Sequence, residues 1–233
     1  MKKNIQLIIA FFTVLTLGSC AKDNFEEPES DFSGRFVYEG EPLQFRHNAF
    51  KAELWQRGFG NFGVINVNIN QEGLFAARMF DGDYKFTVSN GQVPFLWPKN
   101  AAGAPDSLSI SLSGDQTRDI EVQPYYMIRT PQITIAGGQV SASCAIEKII
   151  TDANGRNLER VSLYLNKTQF VDDSDDRRLA STDAENIGNL SNITMSLAVP
   201  NISPSQNYVF ARIGLKMAGI ENMIFSPVVK LNM

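Results

Sequence analysis

Side-chain alternation with a period of two is the pattern that most restricts what this chain can fold into. Tyr84, Phe86 and Val88 alternate with Asp83, Lys85 and Thr87, and Ile65, Val67 and Ile69 alternate with Asn66 and Asn68. Successive side chains on a strand point to opposite faces of a sheet, so each run predicts a strand with one face buried. Comparable runs occupy residues 32–38, 52–56, 74–80, 108–112 and 120–122, with turn-forming Gly40-Glu41-Pro42, Glu72-Gly73 and Asp81-Gly82 between them. A second series follows at 140–145, 161–165, 193–197, 208–215 and 223–231. No long helical period interrupts either series, so the expected class is all-β.

Between the two series lies Pro124-Tyr125-Tyr126-Met127-Ile128-Arg129-Thr130-Pro131. Two prolines bracketing a short run read as a stiff connector. The 233 residues are many for one sandwich and suit two domains of about 100 residues each. The expected division is a leader over 1–19, a tether over 20–30, a first sandwich over 31–128 and a second over 129–233.

The leader begins with Lys2 and Lys3, continues through a mostly apolar core over 5–17, and ends at Leu17-Gly18-Ser19-Cys20. This ending resembles the lipobox of bacterial lipoproteins. The resemblance implies that Cys20 receives lipid on its sulfur, that the first 19 residues are removed and that the new amino terminus is acylated. An ordinary cleaved leader with an incidental cysteine is the alternative. The apolar core, interrupted by Gln6, Thr13 and Thr16, falls short of the roughly 20 apolar residues a membrane-spanning helix needs. Residues 21–30 are polar, acidic and broken by Pro28, so they are expected to form a tether rather than a fold. Lys22-Asp23 and Glu26-Glu27 resemble the charged export tag of Bacteroidota surface lipoproteins, with a plain solvated linker as the alternative. The expected location is the outer membrane, lipid-anchored and facing the cell exterior.

Loss of Lys2 and Lys3 with the leader leaves 19 basic against 25 acidic residues, a net charge near −6. Nothing in that balance suits a nucleic-acid partner. Once Cys20 is lipidated, Cys144 is the remaining thiol, which excludes an internal disulfide and suits a small buried apolar residue. His47 is the single histidine and lies far from it in sequence, which disfavours a Cys–His catalytic pair.

Gly34, Gly40 and Pro42, the 52–56 strand, Gly73 and Gly82-Asp83-Tyr84 follow one another in an order that resembles a transthyretin-like (prealbumin-like) β-sandwich. In that likeness Gly82 supplies the positive φ of a tight hairpin and Tyr84 packs inward. Ile202-Ser203-Pro204-Ser205-Gln206-Asn207-Tyr208 resembles the tyrosine corner of fibronectin type III domains, whose phenol closes a loop onto upstream backbone. It implies a seven-strand fibronectin type III or immunoglobulin-like sandwich in the second half. The whole order then resembles the Bacteroidota lipoproteins of domain-of-unknown-function family 3823. It runs from lipobox and tether through Pro124-Tyr125-Tyr126 to Ala211-Arg212-Ile213-Gly214 and Ser226-Pro227-Val228. Such proteins are typically encoded beside starch-utilisation-type transporter and lipoprotein-lid pairs. The resemblance implies a glycan ligand, and a TonB-dependent transporter with its lipoprotein lid as partners.

The loop Val93-Pro94-Phe95-Leu96-Trp97-Pro98-Lys99-Asn100 is apolar and aromatic, and such a run covers a core, meets a partner or binds a ligand. Sugars present C–H faces to aromatic rings and hydroxyls to amides and acids. Phe95, Trp97, Asn100 and Asp106 are therefore the expected ligand-binding set, the alternative being a loop folded over the sandwich end. A second aromatic group, Trp55, Phe59 and Phe62, flanks the glycine-rich turn at 58–63. The acidic run Asp172-Asp173-Ser174-Asp175-Asp176 lacks the Gly and distal Glu of a calcium loop, and Arg177 and Arg178 offset it, so it is expected to be solvated. No metal, cofactor or catalytic constellation is expected. The function expected is a non-catalytic accessory to glycan capture and import, with a transporter-docking subunit as the alternative and a hydrolase less favoured.

Overall fold

The computed structural model describes residues 26–58, 63–88 and 92–233. The leader, Cys20, Phe59 and Phe62 lie outside the described residues. The first domain comprises β1 (Ser30–Tyr38), β2 (Glu41–Pro42), β3 (Lys51–Gln56), β4 (Val64–Asn68), β5 (Leu74–Met79), β6 (Gly82–Val88), β7 (Phe95–Leu96), β8 (Leu108–Leu112), β9 (Gln116–Thr117), β10 (Ile120–Glu121) and β11 (Gln123–Pro124). In one sheet β1 is central, antiparallel to β5 and β2 and parallel to β9 and β10. The other has the order β4-β3-β6-β8.

Phenylalanine fills the space between these sheets. Phe32, Phe36 and Phe75 come from one sheet, Phe86 from the other, Phe45 and Phe50 from the connections and Phe95 from β7. Phe75 meets Phe86 across the core with ring centroids 5.4 Å apart, and Phe36 stacks on Phe95 at 5.3 Å. Burying each such ring contributes roughly 1.5–3 kcal/mol, so the aromatic content of the strands decides how the sheets seat.

The alternation in β6 appears as expected, with Tyr84, Phe86 and Val88 inside and Asp83 and Lys85 outside. The turn before it differs. β5 pairs with β1 and β6 with β3, so Asp81-Gly82 carries the chain from one sheet to the other and closes no hairpin. Gly82 has φ +145°, and a Cβ there would lie 2.4 Å from Gln56 Nε2. Ile65, expected inside, is 39 % exposed because β4 is the edge strand of its sheet.

The second domain comprises β12 (Tyr126–Ala136), β13 (Gln139–Lys148), β14 (Leu158–Asn166), a 3₁₀ turn at Asp175–Arg177, β15 (Ala180–Asp183), β16 (Ile193–Ala198), β17 (Tyr208–Met217), β18 (Ile224–Phe225) and β19 (Val229–Asn232). The sheet β12-β13-β16 packs on a sheet in which β15, β14 and β17 are consecutive and β18 and β19 both pair with β17. Counting the last two as one interrupted strand gives the seven-strand sandwich that the fibronectin likeness implied. Val140, Ala142 and Cys144 of one sheet meet Val161, Leu163, Ala211 and Ile213 of the other in its core.

Two expectations fail here. Residues 124–131 are no connector: β12 pairs with β13 from Tyr126 onward, and the register shifts between Arg129 and Gln132. Pro131 sits at that shift on an edge strand, where a missing N–H costs nothing, and Thr130 takes φ 45° beside it. Tyr208 forms no inward corner either. Val209, Ala211 and Ile213 fill the core, so period two turns Tyr208 to the outer face, where it meets Phe210 at 5.7 Å and lies 4.2 Å from the Lys230 ammonium.

The outer faces of β14 and β17 are also buried, under Val171, Met223 and Phe225 of the same domain and, at Arg212, against the first domain. Ser162, Tyr164 and Arg212 are at most 2 % exposed on those faces, and Gly214 is buried with them. Arg212 donates from Nη1 to Phe45 O (3.1 Å) and Val171 O (3.3 Å), from Nη2 to Gln71 O (3.4 Å) and from Nε to Ser226 O (2.9 Å), with its guanidinium 4.4 Å from the Phe225 ring. Gly214 beside it leaves room for Tyr164 and Phe225, whose ring atoms would lie 2.8 Å from an added Cβ. Backbone hydrogen bonds from Phe225 N to Gln44 O (2.9 Å) and from Asn222 N to Gln92 O (3.2 Å) extend the junction. The acidic run is divided: Asp175 and Asp176 are exposed as expected, whereas Asp172 is buried against Arg177 at 2.8 Å and Asp173 pairs with Arg46 of the first domain at 3.6 Å.

Candidate functional site

Of the expected binding loop, the structure takes the rings inside. Phe95 is 1 % exposed and packs on Phe36, and Trp97 is 9 % exposed against Phe86 and Phe95. The Trp97 indole N–H donates to Asp106 O at 2.8 Å, which closes the loop over the end of the core. The expectation that Phe95 and Trp97 form an exposed stacking platform is corrected by this burial. Asn100 and Asp106 are exposed but organise the loop's own backbone: Asn100 Oδ1 accepts from Ala102 N (3.0 Å) and Ala104 N (3.1 Å), and Asp106 Oδ1 from Ser107 N (2.8 Å). The four residues share one loop whose rings face the core and whose polar side chains engage the loop's own backbone.

A concavity lies elsewhere, on the outer face of the β4-β3-β6-β8 sheet. It has a volume of about 1020 Å³. Register assembles it: Trp55 of β3 is opposite Lys85 of β6, which is opposite Ser109 of β8, while Asp83 is opposite Ser111 in the next outward row. Val64 of β4, 38 % exposed, sits opposite Trp55 on the other side. The outward phase of β3 thus sets a half-buried indole beside an aliphatic neighbour, and β8 contributes serines too short to fill the space above it.

The polar groups of this face are held in place. Trp55 Nε1 donates to Glu53 Oε2 at 3.3 Å, which orients the ring. Lys85 Nζ donates to Ser109 Oγ at 2.8 Å, and Thr87 Oγ1 to Asp106 O at 2.8 Å. At one end Asp81 accepts the Ser30 hydroxyl and the Gly114 N–H, and those hydrogen bonds, Ser30's first, hold its carboxyl below the usual carboxylate range. One aromatic plane, several hydroxyls and charges of both signs make a surface that can accept C–H faces and exchange hydrogen bonds with hydroxyl groups.

The phase of β3 was a readable signal for this face. Ala52 and Leu54 point inward, which sends Glu53, Trp55 and Arg57 outward with the strand still regular. Among the described residues no group of three or more His, Cys, Asp or Glu is placed to hold a metal ion. Cys144 is buried in the second core, and burial pushes its thiol up to about 11, as suits a packing residue.

Two tandem β-sandwiches with an open, polar-rimmed sheet face define the class. Family models place the chain further: residues 30–123 match the N-terminal domain of the DUF3823 proteins of unknown function, and residues 126–230 match the domain of unknown function DUF3823_C. The chain belongs to the DUF3823 family. A family member from Parabacteroides merdae is 31 % identical, with 89 % of this chain and all of that one aligned at a TM-score of 0.76. Another from Bacteroides ovatus is 27 % identical over 88 % of this chain and 99 % of that one, at a TM-score of 0.75. A Bacteroides uniformis protein provisionally described as carbohydrate binding shares the fold at 18 % identity, over 88 % of this chain and all of that one, with a TM-score of 0.66. No curated protein matches.

Proposed function

We propose that this chain is a lipid-anchored surface protein that binds carbohydrate without catalysis and holds it for import through a neighbouring outer-membrane transporter. The observation that carries the binding is the Trp55 face, where an oriented indole lies beside Lys85, Ser109 and Ser111 in one open concavity. The provisional carbohydrate-binding description of the Bacteroides uniformis relative supports the same reading. Anchoring rests on Leu17-Gly18-Ser19-Cys20 and the acidic tether behind it. A glycan panel titrated against the purified chain tests the proposal. Trp55→Ala is expected to abolish binding to whichever glycan the wild type takes, with no loss of secondary structure. Retained affinity in that variant would remove the face from the argument. Cys20→Ala is expected to move the protein from the membrane to the soluble fraction, since lipid would supply nearly all the attachment.

A docking subunit is the second reading, favoured by β4. Among the described residues this edge strand pairs only with β3 and leaves Val64 and Ile65 38 % and 39 % exposed. An exposed apolar edge is a place where another chain can add a strand. Co-purification with a transporter and no glycan binding would select this reading.

A further inference from the structure

We infer a second saccharide-binding site at the junction of the two domains, distinct from the Trp55 face and built by both sandwiches. A groove of about 740 Å³ is bounded by Tyr38 at the end of β1, by Trp97 and Pro98 after β7, by Glu121 and Gln123 of β10 and β11, and by Asn154. All but Asn154 belong to the first domain; Asn154 lies in the β13–β14 loop of the second. The first sandwich supplies the wall, and the second closes it with Asn154.

Its wall and its polar groups have separate tasks. The apolar side is formed by half-buried Tyr38 and exposed Pro98, with Trp97 packed in the core behind them. Opposite chemistry comes from the exposed Glu121, whose Oε1 accepts the Glu39 N–H at 2.6 Å. That bond pins the carboxylate, and a carboxylate with one oxygen pinned still accepts at the other. Asn154 is positioned by Asp152, which accepts its backbone N–H at 2.8 Å and its side-chain amide at 3.4 Å. Gln123 adds a second amide, and amides both donate and accept.

An apolar side facing a carboxylate and two amides matches a sugar ring, which offers C–H bonds on one face and hydroxyls around its edge. Charge narrows the class. Glu39 and Glu121 outnumber Lys99 among the charged residues that line the groove, so a uronic or sialic acid would meet like charge and a neutral glycan would not. The ligand assigned is a neutral oligosaccharide. This inference rests on the reading of the chain as a carbohydrate binder, and it adds a second address whose geometry depends on how the domains dock. Two sites at a fixed spacing on one rigid chain would raise the avidity for a long polymer above that of either site.

The test is calorimetric titration of the full chain in detergent with neutral gluco-, manno-, galacto- and xylo-hexaoses and with an oligogalacturonide. The variants are Glu121→Gln and Asn154→Ala, one from each domain and both exposed, together with Trp55→Ala. Unchanged melting temperatures in the two junction variants separate binding from folding. The expected result is that each junction variant weakens one binding event at least about tenfold, that Trp55→Ala weakens the other, and that the oligogalacturonide fails at the junction. Wild-type behaviour in both junction variants, with all binding lost in Trp55→Ala, would overturn the junction site and leave the carbohydrate reading standing. No binding of any probe by the wild type would overturn both.

Discussion

Arg212 Nη1 donates a hydrogen bond across the domain junction to the carbonyl oxygen of Phe45, at 3.1 Å. The guanidinium is fully enclosed, and it also serves carbonyls of Gln71, Val171 and Ser226. Burial pulls its pKa down to about 9, against the opposing charges of Asp172 and Glu72, so the group stays charged at neutral pH. Arg212→Ala would take the guanidinium donor from the carbonyls of Phe45, Val171 and Ser226, while Gln71 O keeps the Phe45 N–H at 3.2 Å. The expected loss is on the order of 3–5 kcal/mol in urea unfolding, and faster proteolysis of the 44–47 and 71–72 segments should accompany it. A midpoint equal to wild type would mean that the junction contributes little to stability.

Trp97 and Trp55 should separate cleanly in thermal melts. Trp97 is packed among Phe86 and Phe95, and its truncation to alanine removes core contacts and the N–H that closes the loop. A cost of about 3–5 kcal/mol is expected. Trp55 lies half-buried on an outer face, so Trp55→Ala should cost about 1 kcal/mol or less. Equal melting temperatures for the two variants would contradict the assigned burial.

Tyr208→Phe should change stability by no more than about 0.5 kcal/mol, because the ring stays against Phe210 and beneath Lys230 without its hydroxyl. A loss of about 1–2 kcal/mol in chemical denaturation would instead reveal a buried hydrogen bond of the tyrosine-corner kind.

Cys144 should resist alkylation. It is 4 % exposed, and burial holds its thiol near a pKa of about 11, so the thiolate is scarce throughout the neutral range in the native state. Iodoacetamide at about pH 8, read by mass spectrometry, is expected to leave it unmodified until denaturant is added. Rapid labelling of the native chain would place the thiol at the surface.

Much of the fold was legible in the sequence because period two is a geometric property of strands. The inward set Tyr84, Phe86 and Val88 is buried as the alternation required, and the strand at 108–112 ends where the pattern ends. β12 was obscured because prolines usually break sheets; Pro131 is tolerated by an edge position and a register shift that only the pairing reveals. The ligand set misled for a different reason. An aromatic run in a loop looks the same whether it faces water or folds back over a core, and the Trp97 to Asp106 hydrogen bond that decides it spans nine positions. The outward phase of Trp55 was legible, since Ala52 and Leu54 beside it point inward. The junction also left a trace: Tyr164 and Arg212 occupy outward positions on strands where water would ordinarily be met.

β17 is a party wall. Its Val209, Ala211 and Ile213 side furnishes one domain's interior, and from its other side Arg212 holds the carbonyls of Phe45 and Gln71 in the neighbouring domain. Disturbing either side moves the same strand, so the two stretches that match separate family models are tenants of one building. Cut apart between β11 and β12, the second half would meet solvent with Arg212 and Phe225 stripped of their partners Phe45, Gln71 and Gln44, which argues for a chain that melts once.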